Sequence, residues 1–215
     1  MRDELLVFSK TAGYRHDSIP AAVTAIGELG FPVYATEDAT VFTGDLSRFG
    51  AVVFLSTTGR ILDGAQRDGL RGYLLGGGGF AAVHSAANTE TGWPFFGGLV
   101  GAVFAGHPPL QPGRILVADR DHPATAHLEP EWQWTDEWYD FTTNPGGRVR
   151  VLLRVDESSY QGGALGADHP IAWCHEYQGV RCFYTSLGHA TEAYQAPALR
   201  EHLRGGITSV LAGRR

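Results

Sequence analysis

What this 215-residue chain has little of narrows its function first. It carries two cysteines, Cys174 and Cys182, and neither belongs to a CxxC pair, so no pattern for a zinc–thiolate site is present. They fall on two expected strands, 170–177 and 180–187, joined by a short Gln-Gly turn. In a reducing interior the expectation is two buried free thiols. There is no run of Lys or Arg, and the net charge is −6 at pH 7. That balance disfavours a nucleic-acid partner or an anionic membrane surface. The apolar stretches are strand-sized, far short of a membrane span. The first ten residues, MRDELLVFSK, carry acids where a secretion signal needs bases and a longer apolar run. The expectation is a cytoplasmic protein with a small-molecule partner. No linker, internal repeat or low-complexity tract interrupts residues 1–215, which read as a single domain.

What is present is a composition able to build a core: 43% apolar and 11% aromatic, with 19% charged. The first half alternates strands and helices. ELLVFSK reads as a buried strand, and a helix over 21–29 follows, with Ser18 as N-cap, Pro20 in its first turn and a stop at Gly30. FPVYATE and GAVVFLST are further strands. DGAQRDGLRGYLL reads as a helix, and GFAAVH as a fourth strand. This spacing means βαβ units, an α/β fold and a parallel sheet. After about residue 90, Pro, Gly and aromatic residues dominate. Strand-like runs then come close together, and a helix from about Glu192 to Leu211 closes the chain.

Gly76–Gly79 resemble a phosphate loop only in composition. Such a loop follows a strand and opens a helix. Here the order is reversed and no Lys-Ser/Thr follows, so these glycines cap a helix and allow close packing.

In open parallel sheets, ligands lie beyond the C-terminal ends of the strands. That rule gathers SKTAGYRHDS, STTG (with Thr58) and HSAANTE as the floor of a site. His84 closes the fourth strand, and His189 ends the last one with Glu192 three residues on. His16, His107 and His169 fall in loops, and Glu137 lies in TDEWYDF. Histidines with nearby carboxylates are the usual groups for proton transfer near neutral pH, which makes His84, His189, Glu137 and Glu192 the candidate catalytic set. The sequence lacks HExxH and His-x-His, so a metal is not indicated by spacing, although His/Glu clusters can hold one; no cofactor is expected. Ser85 follows His84 in AVHSAA rather than in GxSxG, which weakens a serine triad. The stripe WQWTDEWYDF places Trp132 and Trp134 on one face of a strand. With Trp93, Trp138 and Tyr139, it offers apolar walls for a sugar ring, and Asp136 and Glu137 offer acceptors for its hydroxyls.

The ordered series LLVFSKTAGYRHDSIP, VVFLSTTG, GGGGFAAVHSAANTE, WPFFGGLVGAVFAGHP, DRDHPAT, TDEWYDFTTNP and GADHPIAWCHEYQGVRCFYTSLGHATEAY resembles the ThuA-like, or trehalose utilisation, family. The resemblance covers nearly the whole chain. It implies the flavodoxin-like three-layer sandwich of class I glutamine amidotransferases, with added β-rich loops in the second half. Those enzymes carry a cysteine at the elbow where this chain has His84, and their triad histidine corresponds to the segment holding His189. Without the thiol, glutamine hydrolysis is not implied. The family name implies carbohydrate metabolism, on a disaccharide or its 3-keto form. A base such as His84 or Glu137 would remove the proton beside the carbonyl, and His189 would protonate the departing oxygen, in lyase or hydrolase chemistry. Tyr14, Arg15 and His16 would bind the enolate oxygen. Thr58, Trp93, His107, Trp138, Tyr139 and His169 complete the expected substrate contacts. The alternatives are a non-catalytic sugar-binding protein and a metal-dependent hydrolase. Exposed aromatics in the second half suggest a homodimer.

Overall fold

The computed structural model describes residues 4–211. The first half follows the expected rhythm: β1 (Glu4–Phe8), α1 (Ile19–Gly27), β2 (Val33–Thr36), β3 (Phe49–Leu55), α2 (Gly64–Leu75) and β4 (Gly79–Val83). The second half adds α3 (Pro94–Val100), β5 (Phe104–Gly106), β6 (Gln111–Val117), β7 (Glu131–Asp136), β8 (Asp140–Phe141), β9 (Arg150–Asp156), β10 (Pro170–Tyr177), β11 (Val180–Thr185) and α4 (Pro197–Leu211).

Among the described residues, nine strands form one sheet in the order β2-β1-β3-β4-β11-β10-β9-β6-β7. The first five of these run parallel. The remaining four extend the sheet by antiparallel pairing. Because side chains alternate across a strand, each buried strand feeds two cores. Leu5, Val7, Ala51, Val53, Ala81 and Val83 pack with α1 and α4 on one face. Leu6, Phe8, Val52, Phe54, Phe80 and Ala82 pack with α2 and α3 on the other. The result is a three-layer α/β sandwich. No helix among the described residues is long and apolar enough to cross a membrane.

Several local expectations are corrected. Ser18 has helical backbone angles and makes no side-chain cap; its hydroxyl donates instead to the Gly188 carbonyl, 3.3 Å away. The C-terminal helix begins at Pro197, after a separate 3₁₀ turn over Thr191–Gln195. Helix α3 and the small β5–β8 sheet arise where the sequence reads as loop. Cys174 and Cys182 are free thiols as expected, but only Cys182 is buried, and Cys174 is half-buried. Cys174 is registered with Phe183 and Cys182 with His175, so the two sulfurs sit on opposite faces of the sheet.

Candidate active site

The site lies beyond the C-terminal ends of β1, β3, β4 and β11. Two isolated parallel bridges, Thr11 with Thr58 and Gly59 with Thr89, hold the neighbouring loops together. The first element to build is the turn after β4. Val83 ends the strand, and His84 turns the chain with φ +54° into a 3₁₀ segment, His84–Asn88. A non-glycine residue in this region is strained, and such strain gathers at functional turns. The small residues Ser85, Ala86 and Ala87 let the turn fold tightly under the sheet.

His84 is fully buried. Its Nδ1 donates to the Ser186 carbonyl at 2.7 Å, and the Tyr184 hydroxyl donates to the His84 carbonyl at 3.0 Å. The acceptor at Nδ1 leaves Nε2 with a lone pair, directed into the site. Three groups converge on it: His16 Nε2 at 3.0 Å, the Tyr139 hydroxyl at 3.0 Å and Glu137 Oε2 at 3.5 Å.

His16 comes from the loop before α1, and its Nδ1 contacts Ser85 Oγ at 3.3 Å. His189 follows β11. Its Nδ1 lies 3.0 Å from Glu137 Oε2. That contact lacks hydrogen-bond alignment, and Nδ1 is buried with no hydrogen-bond partner. His107 Nε2 stands 3.6 Å from Glu137 Oε1. The ring centroids of His16, His84 and His189 are 4.5–5.5 Å apart.

Asp136 positions this group without entering it. It is fully buried, and its carboxylate accepts from the amides of Gly188 (2.9 Å), His189 (3.1 Å) and Glu137 (2.9 Å) and from Trp134 Nε1 (3.0 Å). One carboxylate thus ties the end of β7 to the loop after β11. Strand-like alternation does the rest. Glu137 and Tyr139 face the cavity, while Trp138 between them is fully buried in the opposite core.

Burial sets the charges. It pushes His16 down to about 3, aided by the neighbouring His84 and His189. Burial alone would raise Glu137, but contacts with His189 and His84 outweigh it and hold the carboxyl well below the usual range. Contact with Glu137 raises His189 against its own burial. Burial holds the Tyr139 hydroxyl protonated, far above its ordinary value.

His16 and Glu137, with Ser85, line a cavity of about 420 Å³ walled by Tyr14, Thr58, Asn88, Phe104, His107 and Tyr139; His84 and His189 contact these two residues without lining it. That volume suits a small polar ligand. A larger groove of about 530 Å³ beside α2 is lined by Phe42–Ser47 and helix residues and contains no histidine.

Of the expected residues, the structure brings together His16, His84, His107, Glu137, Tyr139 and His189, with Thr58 and Tyr14 at the wall. It does not bring in the others. Glu192 is exposed on the 3₁₀ turn after the site. Arg15 points to Glu37 in an exposed ion pair at 2.6 Å. Trp93 caps α3 and packs on Phe95 and Phe96. Trp132 and Trp134 pack against the α1/α4 core rather than offering a platform. His169 is fully buried behind the site, between Glu157 Oε1 (2.7 Å) and the Tyr139 carbonyl (2.9 Å). Asn88 and Phe104 were not foreseen; they enter through the turn after β4 and through β5.

Comparison with known proteins fits this architecture. The family model described as ThuA, trehalose utilisation, matches residues 4–209. The chain therefore belongs to the ThuA family, which gives it a role related to carbohydrate utilisation. No curated protein matched the sequence. A ThuA-like protein from Bacteroides uniformis superposes with a TM-score of 0.80 at 24% identity, covering 97% of this chain and 91% of its own. A ThuA-like protein from Parabacteroides merdae gives 0.78 at 19% identity, covering 98% and 90%. A cytoplasmic protein from Salmonella typhimurium gives 0.64 at 9% identity, covering 96% and 98%. At these identities the structures share the fold.

Proposed function

We propose that this ThuA-family chain is an enzyme acting on the keto form of a disaccharide, by proton removal beside the carbonyl and release of the glycosidic oxygen. The observation that carries this reading is the convergence of Glu137 with His16, His84 and His189 beside one cavity, which His16 and Glu137 line, with the proton-bearing Tyr139 hydroxyl at its wall. A purely sugar-binding pocket needs hydroxyl acceptors and apolar walls, not three imidazoles around one carboxylate.

The step balances without a co-reactant. In a 3-keto-glycoside the proton on C2 is acidified by the C3 carbonyl. A base takes it, and the electron pair forms an enolate. The enolate re-forms the carbonyl, a C1–C2 double bond appears, and the C1–O bond breaks. The leaving oxygen takes that electron pair and a proton. In this reading His84 Nε2, whose lone pair points into the cluster, takes the first proton, and His189 protonates the leaving oxygen. Tyr139 donates to the enolate oxygen. Subsequent addition of water at C1 gives the hydrolysed sugar.

The test is incubation with disaccharides and their 3-keto derivatives in heavy water. Deuterium uptake at C2 and sugar release, both lost in His84→Ala, are expected. Saturable binding with neither exchange nor cleavage would instead make the chain a sugar-binding protein.

A further inference from the structure

The donor atoms of the cluster are arranged as a coordination shell. His16, His84, His189 and Glu137 each offer one ligand atom, and all four atoms lie within 4.8 Å of one another. Bonds of about 2.0–2.2 Å to a tetrahedral ion place neighbouring donors roughly 3.3–3.5 Å apart. The observed edges are 3.0 Å (His84 Nε2 to His16 Nε2), 3.5 Å (His84 Nε2 to Glu137 Oε2) and 3.0 Å (His189 Nδ1 to Glu137 Oε2).

Hydrogen bonding alone explains this packing poorly. The single lone pair on His84 Nε2 can accept one good hydrogen bond, yet three groups crowd it. His189 Nδ1 is buried against a carboxylate without a hydrogen bond to it. The outer contacts are those that orient metal-bound histidines. A backbone carbonyl holds His84 Nδ1 and a hydroxyl meets His16 Nδ1, which turns both Nε2 atoms inward.

We propose that His16, His84, His189 and Glu137 bind one divalent transition-metal cation, of the zinc or manganese kind, beside the cavity that His16 and Glu137 line. Three imidazoles and a carboxylate suit such ions and not calcium or magnesium. No linear motif announces the site, because the four ligands come from four separate loops. The inference deepens the proposed function and rests on it only for the substrate. An ion that accepts ligands beyond these four would take a sugar carbonyl and a water from the cavity that His16 and Glu137 line. The four side chains are then ligands, and the cation-bound water replaces His84 as the base.

Chelator-stripped protein titrated calorimetrically with Zn²⁺, Mn²⁺ and Co²⁺ tests this. One ion per chain is expected, with affinity at least about tenfold weaker in Glu137→Gln and in His16→Ala and unchanged in His127→Ala. The visible spectrum of the Co²⁺ form reports nitrogen and oxygen coordination directly. Should one variant fail to fold by circular dichroism, the other decides. Uptake of none of the three ions, or equal uptake by a folded variant, overturns the centre. Sugar exchange measured on stripped and loaded protein separates the two readings. Exchange that survives stripping keeps the sugar reading and removes the cation from it. A bound cation with no exchange keeps the centre and removes the sugar reading.

Discussion

His84 Nδ1 donates to the carbonyl oxygen of Ser186 at 2.7 Å, joining the ends of the adjacent parallel strands β4 and β11. This bond settles which nitrogen carries the proton and where the other one points. It also places a strained turn, with φ +54°, against a strand end that cannot move without disturbing the sheet. The histidine at the elbow is thus held by the fold before any ligand arrives.

Replacing His84 separates chemistry from folding. Asn tolerates a left-handed backbone, so His84→Asn should keep the fold and lose sugar exchange. His84→Val places a β-branched residue at a positive φ and should lose about 1–3 kcal/mol more stability than Asn. Urea denaturation of the two variants checks the difference; equal midpoints would mean that the turn relaxes without cost.

The Asp136 carboxylate holds four donors at zero exposure. Asp136→Ala leaves the amides of Glu137, Gly188 and His189 and the indole of Trp134 unpaired, with an expected loss of about 3–5 kcal/mol. Asp136→Asn keeps the volume but turns an amide NH₂ toward donors. It should fold with smaller loss, and kcat should fall more than KM rises, because Glu137 and His189 shift together. Denaturation of both variants and steady-state kinetics of Asp136→Asn check this.

The βαβ half was legible because its strands are continuous apolar runs and α2 begins at the Asp63 cap and ends at Gly76, while Pro20 marks the first turn of α1 even though Ser18 does not cap it. The rule that ligands bind beyond strand ends located the cavity from those strands alone. The second half was less legible for physical reasons. Strand β8 has two residues, and its pairing with β5 depends on contacts distant in sequence. Helix α3, PFFGGLV, has two glycines in seven residues and is held by the burial of Phe95, Phe96, Leu99 and Val100 rather than by propensity. Glu192 is near His189 along the chain, but a carboxylate 52 residues upstream of His189 in chain order, Glu137, reaches it in space, and its neighbour Asp136 binds the His189 amide. Trp138 lies between two cavity residues in sequence, but alternation turns it away from them into the α1/α4 core.

Close packing of α4 supplies a prediction remote from the site. A Cβ at Gly205 would stand 2.2 Å from the Pro123 carbonyl oxygen, which is backbone and cannot swing aside. Gly205→Ala should cost at least about 1–3 kcal/mol although Ala favours helix, because overpacking outweighs propensity. Thermal unfolding checks it; a raised Tm would show that the 121–128 segment yields.

Acid sensitivity of the fold traces in part to His202. It is buried on α4, its Nδ1 donates to the Ala124 carbonyl at 2.8 Å, and its Nε2 has no partner. Burial, with His127 and His122 nearby, pushes it down to about 4 from 6.5. The unfolded chain therefore takes up this proton at a higher pH than the folded protein does. The stabilisation is complete above pH 6.5 and is lost as the pH falls toward 4, reaching about 2 kcal/mol at pH 5. His202→Phe keeps an aromatic ring against Phe183, whose ring centroid lies 5.4 Å from that of His202, and removes the titrating group. Its stability should fall less than that of the parent between pH 7 and pH 5, by about that amount. Denaturant midpoints at the two pH values measure it. Parallel losses in the two proteins would assign the acid sensitivity to other groups, such as His122, which burial also lowers.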